Sequence, residues 1–481
     1  MMTMLATLFR EQMNKSKNVA NKTEMTYSVS YPTGLLPLDL TTGYIQNVNG
    51  EQKFELGISD GSINTLIGDS GTGKTTLLVA MACSIIKPFR TSSIFFEQAE
   101  VGTNIQRIKN LSGITDANGF TDRFIVRDAG ITIESIYDRI KAVYDIKTNN
   151  PEIYQYDTGL VDLKGQKVFK YEPTVFIIDS IKLVTSQNKM YAGIGAYETA
   201  DQKGDDKVTN MDGAQEAGSV AVYLKKMVPL CRLANIIMIL VNHITHSIPA
   251  NSRIPQKSEF PFLKQNEHLG SAKLLHYISN IMLRLDIVSK LIPGKDTNPY
   301  GVDGSIVQID IVKNRTNKSG RARCNLIFDQ STGFDNEYSM LLMLKEYEVL
   351  EGTGAYLRLP GYDTTFSVRN FKQKLHSDPE FCQAFNMTCF NFIRKTLEDE
   401  YNHIQEQLKL NSGSSSIYSS VLSQFGIGES PVYADEVGKA SDSKKKKKSV
   451  TALMAESVNN ASIKQDTMEA EDSGEYDNID D

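Results

Sequence analysis

Ile63-Asn64-Thr65-Leu66-Ile67-Gly68-Asp69-Ser70-Gly71-Thr72-Gly73-Lys74-Thr75-Thr76, followed by the apolar run Leu77 to Ile86, decides how the rest of the chain is read. By residue type it is a buried strand, a glycine turn and a helix. Gly68-x4-Gly73-Lys74-Thr75 has the full spacing of a P-loop. The glycines let backbone N–H groups face a polyphosphate at a helix start, Lys74 reaches the β- and γ-phosphates, and the Thr75 hydroxyl is placed for Mg²⁺. The spacing therefore predicts a nucleoside triphosphate held by Gly68, Asp69, Ser70, Gly71, Thr72, Gly73, Lys74, Thr75 and Thr76.

Downstream, Ser92 to Glu100 reads as an apolar strand ending on two carboxylates, Glu97 and Glu100, where an acid can face a γ-phosphate. Pro173 to Ser180 is a second apolar strand that ends in Asp179, the pattern of the Mg²⁺-side carboxylate of such a site. Helical spacing is expected over 104–111, 133–145 and 214–233, and strands over 124–128, 235–241, 280–288, 305–312 and 324–328. Strand and helix alternate through 61–315, which predicts an α/β fold with a mostly parallel central sheet covered on both faces. The nucleotide is then expected at the carboxyl ends of the strands.

Two stretches break the alternation. Residues 185–213 are rich in Gly, Lys, Asp and Asn, and 244–268 carry Arg253, Lys257 and Lys264 beside Phe260 and Phe262. Long loops inside a compact domain are functional or disordered. The three cations are candidate phosphate contacts and the aromatics candidate stacking partners for bases; the competing reading is a solvated polar loop. His243, after the apolar strand 235–241, is equally open, since a lone histidine at a strand end is often satisfied by backbone.

At the amino terminus, Met4, Leu5, Leu8, Phe9 and Met13 have helical spacing and would present one sticky face. Tyr31 to Gly43 reads as a turn, a short helix and a turn, with Thr33 as its cap. Beyond Gly352 the segments 366–375 and 380–401 are helical. From Leu410 a serine-rich run, Lys444 to Lys448 and an acidic end have the composition of disorder. The expected organisation is an arm over 1–30, an ATPase core over 31–350, a small mainly helical domain over 351–409 and a disordered tail over 410–481.

With 481 residues and 40% hydrophobic content, the chain is long enough for two or three domains and a sizeable core. The formal net charge of −6 is misleading, because residues 449–481 hold nine acidic side chains and one lysine. The remaining body is nearly neutral and has room for a local basic groove. Five cysteines without a C-x2-C pair predict buried thiols in a reducing compartment, with neither disulfide nor zinc. No apolar run approaches the roughly 18 residues of a membrane span, so a soluble intracellular protein with no membrane partner is expected.

Several of these motifs agree in order and spacing, and over residues 31–345 they resemble the RecA family of recombinases, most closely its bacteriophage UvsX type. Thr33-Gly34-x3-Leu38-Asp39-x3-Gly43 is similar to the family's opening segment, Gly68–Thr76 to its P-loop and Val175–Ser180 to its Walker B strand. Val241-Asn242-His243 looks like the strand end bearing the family's γ-phosphate sensor. Val312-Lys313-Asn314-Arg315 is similar to the segment whose cations reach a neighbouring subunit's nucleotide. The resemblance implies a DNA-dependent ATPase that uses ATP and Mg²⁺, with Thr75 and Asp179 at the metal, Lys74 on phosphates and His243 as sensor. Lys313 and Arg315 would act in trans. It implies Glu97 as the catalytic carboxylate, with Glu100 second, and loops 185–213 and 244–269 on DNA. The implied function is strand exchange by filaments of the protein on single-stranded DNA, paired with double-stranded DNA, for recombination, repair and replication. Implied partners are further copies of the chain, a single-strand-binding protein and a mediator or loader. The implied location is the cytoplasm, that of the host cell if the source is viral. Two other readings of the same core are a hexameric DNA helicase and a regulatory ATPase that is not a recombinase.

Overall fold

A computed structural model describes residues 28–100, 104–114, 119–162, 165–187, 210–246, 258, 260–270, 272–316, 322–352 and 356–413. Residues 1–27 of the expected arm, most of 185–213, Arg253, Lys257 and the expected disordered tail from 414 onward lie outside the described residues.

The fold is α/β, built on one ten-stranded sheet. Its strands in chain order are β1 (Ile63–Gly68), β2 (Ile94–Gln98), β3 (Phe124–Arg127), β4 (Thr174–Asp179), β5 (Ile236–His246), β6 (Glu267–Leu269), β7 (Ile281–Leu291), β8 (Gly304–Asn314), β9 (Arg323–Asp329) and β10 (Gly333–Asp335). In space the order is β10-β9-β8-β7-β1-β5-β4-β2-β3, with β6 paired to the end of β5. From β7 to β3 all neighbours are parallel. From β7 to β10 they are antiparallel, so the strands after 280 extend the parallel sheet as a meander rather than by crossover helices.

The parallel strands are mainly apolar because helices cover both faces. Every residue of β1 and β4 is buried. Along β4, Val175 and Ile177 turn to one core and Phe176 and Ile178 to the other. The first core takes Leu77, Leu78, Met81 and Ile85 of helix α1 (Lys74–Ile86). The second takes Ile133, Ile136 and Ile140 of α2 (Ile133–Asn149), and Leu224, Met227 and Cys231 of α3 (Asn210–Ala234). A capping box of Thr132 and Ser135 starts α2. The first core continues through Leu341 and Leu344 of Asn336–Glu346 to Phe371, Phe381 and Phe385 in the helices Phe371–Ser377 and Pro379–Gly413.

Several expectations shift. The helix after Tyr31 spans Leu36–Thr42, and Thr33 is not its cap: the Asp39 carboxylate instead accepts the Thr33 N–H at 2.7 Å. The strand expected over 235–241 spans Ile236–His246, which puts Asn242 and His243 on regular backbone and carries the strand into the first three residues of the stretch read as irregular. Residues 366–367 form a strand, and the following helix begins at Phe371. Two hairpins, Tyr44–Glu55 and Gln155–Tyr171, are further elements of the fold. All five cysteines are free, and Cys83, Cys231, Cys324 and Cys389 are buried. Among the described residues no helix is long and apolar enough to cross a membrane.

Candidate active site

The carboxyl ends of β1, β2, β4 and β5 surround a cleft of about 370 Å³ lined by the glycine loop, Lys74, Thr75, Thr76, Glu100, Arg107, Asp179, His243 and Phe328. The loop owes its path to glycine at two places. A Cβ on Gly68 would come within 2.5 Å of the Leu285 carbonyl oxygen, and Gly73, at φ 86°, is left-handed immediately before α1.

Lys74 folds back over the loop, its Nζ donating to the carbonyl oxygens of Gly68 at 2.9 Å and Asp69 at 2.5 Å. Burial pushes its ammonium down to about 8, against the pull of Asp179, Glu100 and Asp69. Thr75 Oγ1 donates to Asp179 Oδ2 at 2.7 Å. The other oxygen, Asp179 Oδ1, is buried with no hydrogen-bond partner. Burial holds this carboxyl above its usual range although the Thr75 bond pulls it down. An orphaned carboxylate oxygen beside a threonine hydroxyl and a lysine is a donor set suited to a divalent cation with phosphate.

Glu100 is held in the cleft by its own backbone, whose N–H donates to the Asp179 carbonyl at 3.0 Å. Its Oε2 lies 2.7 Å from His243 Nε2. One ligand atom from each of Glu100, Asp179 and His243 falls within 4.8 Å of the others. Glu97 is elsewhere. Strand alternation turns it with Phe95 to the opposite face of the sheet. There it is fully buried, 3.1 Å from Arg139 Nη1, whose guanidinium lies over the Phe95 ring. Of the two acids at this strand end, geometry brings Glu100, not Glu97, to the cleft.

Lys313 and Arg315 are not brought to the same cleft. Asn314 stands opposite Ile281 and Ile281 opposite Asn64, so these cations sit two strands over and four residues upstream of Gly68, roughly 13 Å along the strand. Lys313 Nζ caps the carbonyl of His276, and Arg315 Nη2 donates to Tyr277 O at 2.5 Å. Burial, reinforced by Arg315, pushes Lys313 down to about 8. Lys264 is exposed and paired with Asp286 at 3.2 Å, and Phe260 stacks on Phe262 beside His276.

Sequence reasoning did not single out Arg107 or Phe328. Arg107 lies on the amphipathic helix Ile105–Ser112 and donates to Gln330 O at 3.1 Å, while Phe328 arrives from β9, more than two hundred residues away. Nothing local in the sequence marks either as facing the glycine loop. No protein-family model matches the chain, and a search of curated proteins also finds no match.

Proposed function

We propose that this chain is an ATP hydrolase of the RecA recombinase type, which assembles with copies of itself on single-stranded DNA and exchanges strands with a duplex. The observation that carries the reading is the convergence of Lys74, Thr75, Glu100, Asp179 and His243 from four strand ends on one cleft. Such a set supplies the cation, metal donors and base that phosphoryl transfer to water requires.

On ATP binding, Lys74 leaves the Gly68 and Asp69 carbonyls for the β- and γ-phosphates, and the loop N–H groups take the remaining oxygens. Thr75 and the free Asp179 oxygen would hold Mg²⁺, which when bound neutralises charge building between the phosphates. Glu100, rather than Glu97, orients the attacking water and accepts its proton as the new P–O bond forms and the bond to the β-phosphate oxygen breaks. The proton then returns to solvent. His243, bonded to Glu100, would exchange that partner for the γ-phosphate. Lys313 and Arg315, at the far end of the sheet, complete a neighbouring subunit's cleft.

Hydrolysis measured while single-stranded DNA is titrated tests this reading. DNA should stimulate turnover, and Lys74→Ala should lower it by about 100-fold or more, the scale of losing one fixed electrostatic stabiliser. Turnover indifferent both to DNA and to Lys74→Ala would remove the proposal.

A further inference from the structure

The end of β5 and the start of β6 form a two-stranded ribbon in which Ile244, Thr245 and His246 stand opposite Leu269, His268 and Glu267. One leg of this ribbon is tied to the glycine loop directly, and the other to strand β7, which lies against the first residue of that loop. On one leg, His246 Nε2 lies 2.9 Å from Asp69 Oδ1. On the other, Glu267 receives the Arg284 guanidinium at 2.7 and 2.9 Å. Arg284 also donates to the Phe262 carbonyl at 2.6 Å and to Asp286 at 2.7 Å, so one buried side chain fixes the turn before β6 and both carboxylates around it. Arg284 stands opposite Ile67, and the next residue, Leu285, opposite Gly68. That is where the Leu285 carbonyl closes on Gly68 so tightly that no Cβ fits.

Energetics alone do not explain this arrangement. A buried ion pair loses in desolvation about what it gains in attraction, and apolar residues of the same volume commonly serve stability as well or better. The exposed His246–Asp69 pair is worth little. What both provide is registry. None of Arg284, Glu267 or His246 lines the cleft. Yet Asp69, which His246 holds from outside, and Gly68, against which the neighbour of Arg284 closes, are the residues whose carbonyls Lys74 holds from inside. A ligand that draws Lys74 away releases the inner grip on the same two residues.

We infer that this ribbon is the element through which occupancy of the glycine loop sets the position of residues 260–269, with Arg284 and His246 as positioning residues. The inference rests on the proposed nucleotide site and adds a route from it to Lys264 that does not run through His243.

Hydrogen exchange of the 260–269 amides, with and without a non-hydrolysable ATP analogue, reads this coupling without any DNA. In the wild-type chain the analogue should change their protection by about tenfold, within the usual range of coupling between sites. Arg284→Met alone would strand Glu267 in the core, so the informative variant is Arg284→Met with Glu267→Leu, in which Asp286 keeps Lys264. That pair should retain its melting temperature and bind the analogue within about threefold of wild type, while the change in protection drops below about twofold. His246→Gln, at an exposed position, should lose part of the change and melt normally. A double variant that still transmits the full change would overturn the inference, as would a wild-type chain that binds the analogue with no change at 260–269. Failure to bind the analogue at all would instead remove the nucleotide site itself, and the coupling with it.

Discussion

At the scale of single residues, the cleft turns on which groups are charged and which are already partnered. Lys74 must be protonated to attract phosphate, and burial brings it down to about 8. A bound polyphosphate raises it again. Nucleotide affinity should therefore be flat below pH 8 and fall towards tenfold per unit above it, until the pKa of the complex is passed. Binding isotherms at pH 7 and pH 9 measure this, and Lys74→Met should bind weakly at both without the slope. The two acids after β2 separate in the same manner. Glu100→Gln should cut hydrolysis by about 100-fold and leave ATP binding nearly intact, since it removes only the acceptor for the water proton. Glu97→Gln should instead show in the melting temperature, because it leaves Arg139 facing a neutral partner. A large loss of turnover in well-folded Glu97→Gln would return the catalytic role to that residue. The sequence reading puts Glu97 ahead of Glu100, because which of them reaches the cleft depends on strand alternation and on the Glu100 N–H bonding back to Asp179, neither of which the order of residues displays.

At the scale of elements, legibility followed burial. Strands β1, β2 and β4 are apolar runs because both faces are covered, and a run that ends in an acid or a glycine loop is easy to see. The hairpins Tyr44–Glu55 and Gln155–Tyr171 are mostly exposed and carry no apolar period. They hold one another through contacts remote in sequence, such as Asn49 Nδ2 to Val161 O at 2.7 Å, and their neighbourhood includes Tyr31 paired with Tyr156 at 2.9 Å. The turn before Leu36–Thr42 misled for a different reason: Thr33 accepts only the Leu35 N–H, while the buried Asp39 of the helix reaches back to accept the Thr33 N–H. Burial, opposed by hydrogen bonds from Thr33 and Gly34, raises Asp39 from 3.8 to about 6. The folded state thus holds this proton more tightly than the unfolded state does. Its contribution to stability is full below pH 4 and is lost as pH rises through about 6, a change of the order of 3 kcal/mol. Asp39→Asn, which keeps an acceptor for Thr33, should remove that slope from urea melts taken at pH 4.5 and 7; parallel curves for both proteins would refute it.

At the scale of the whole molecule, the sheet has two unlike ends. Its carboxyl end carries the cleft, and towards the other end Lys313 and Arg315 rest on the carbonyls of His276 and Tyr277. Subunits carrying Lys74→Ala and subunits carrying Lys313→Ala with Arg315→Ala should each be inactive alone. Mixed, they should regain part of the activity, because some interfaces then join an intact loop to intact cations. No recovery in mixtures shown by microscopy to co-assemble would exclude a shared site. The trans arrangement was suggested in the sequence by Val312-Lys313-Asn314-Arg315, whereas the distance of those cations from their own loop depends on the antiparallel register of β7 and β8. Cations and phosphate loop at opposite ends of one sheet also impose a count. If subunits share sites as proposed, a head-to-tail row of n subunits joins only n − 1 complete sites, and one terminal subunit would hold a nucleotide it lacks the means to hydrolyse. Turnover per subunit should climb with row length, and the two ends should age differently, the end with the unfinished cleft keeping its triphosphate longest.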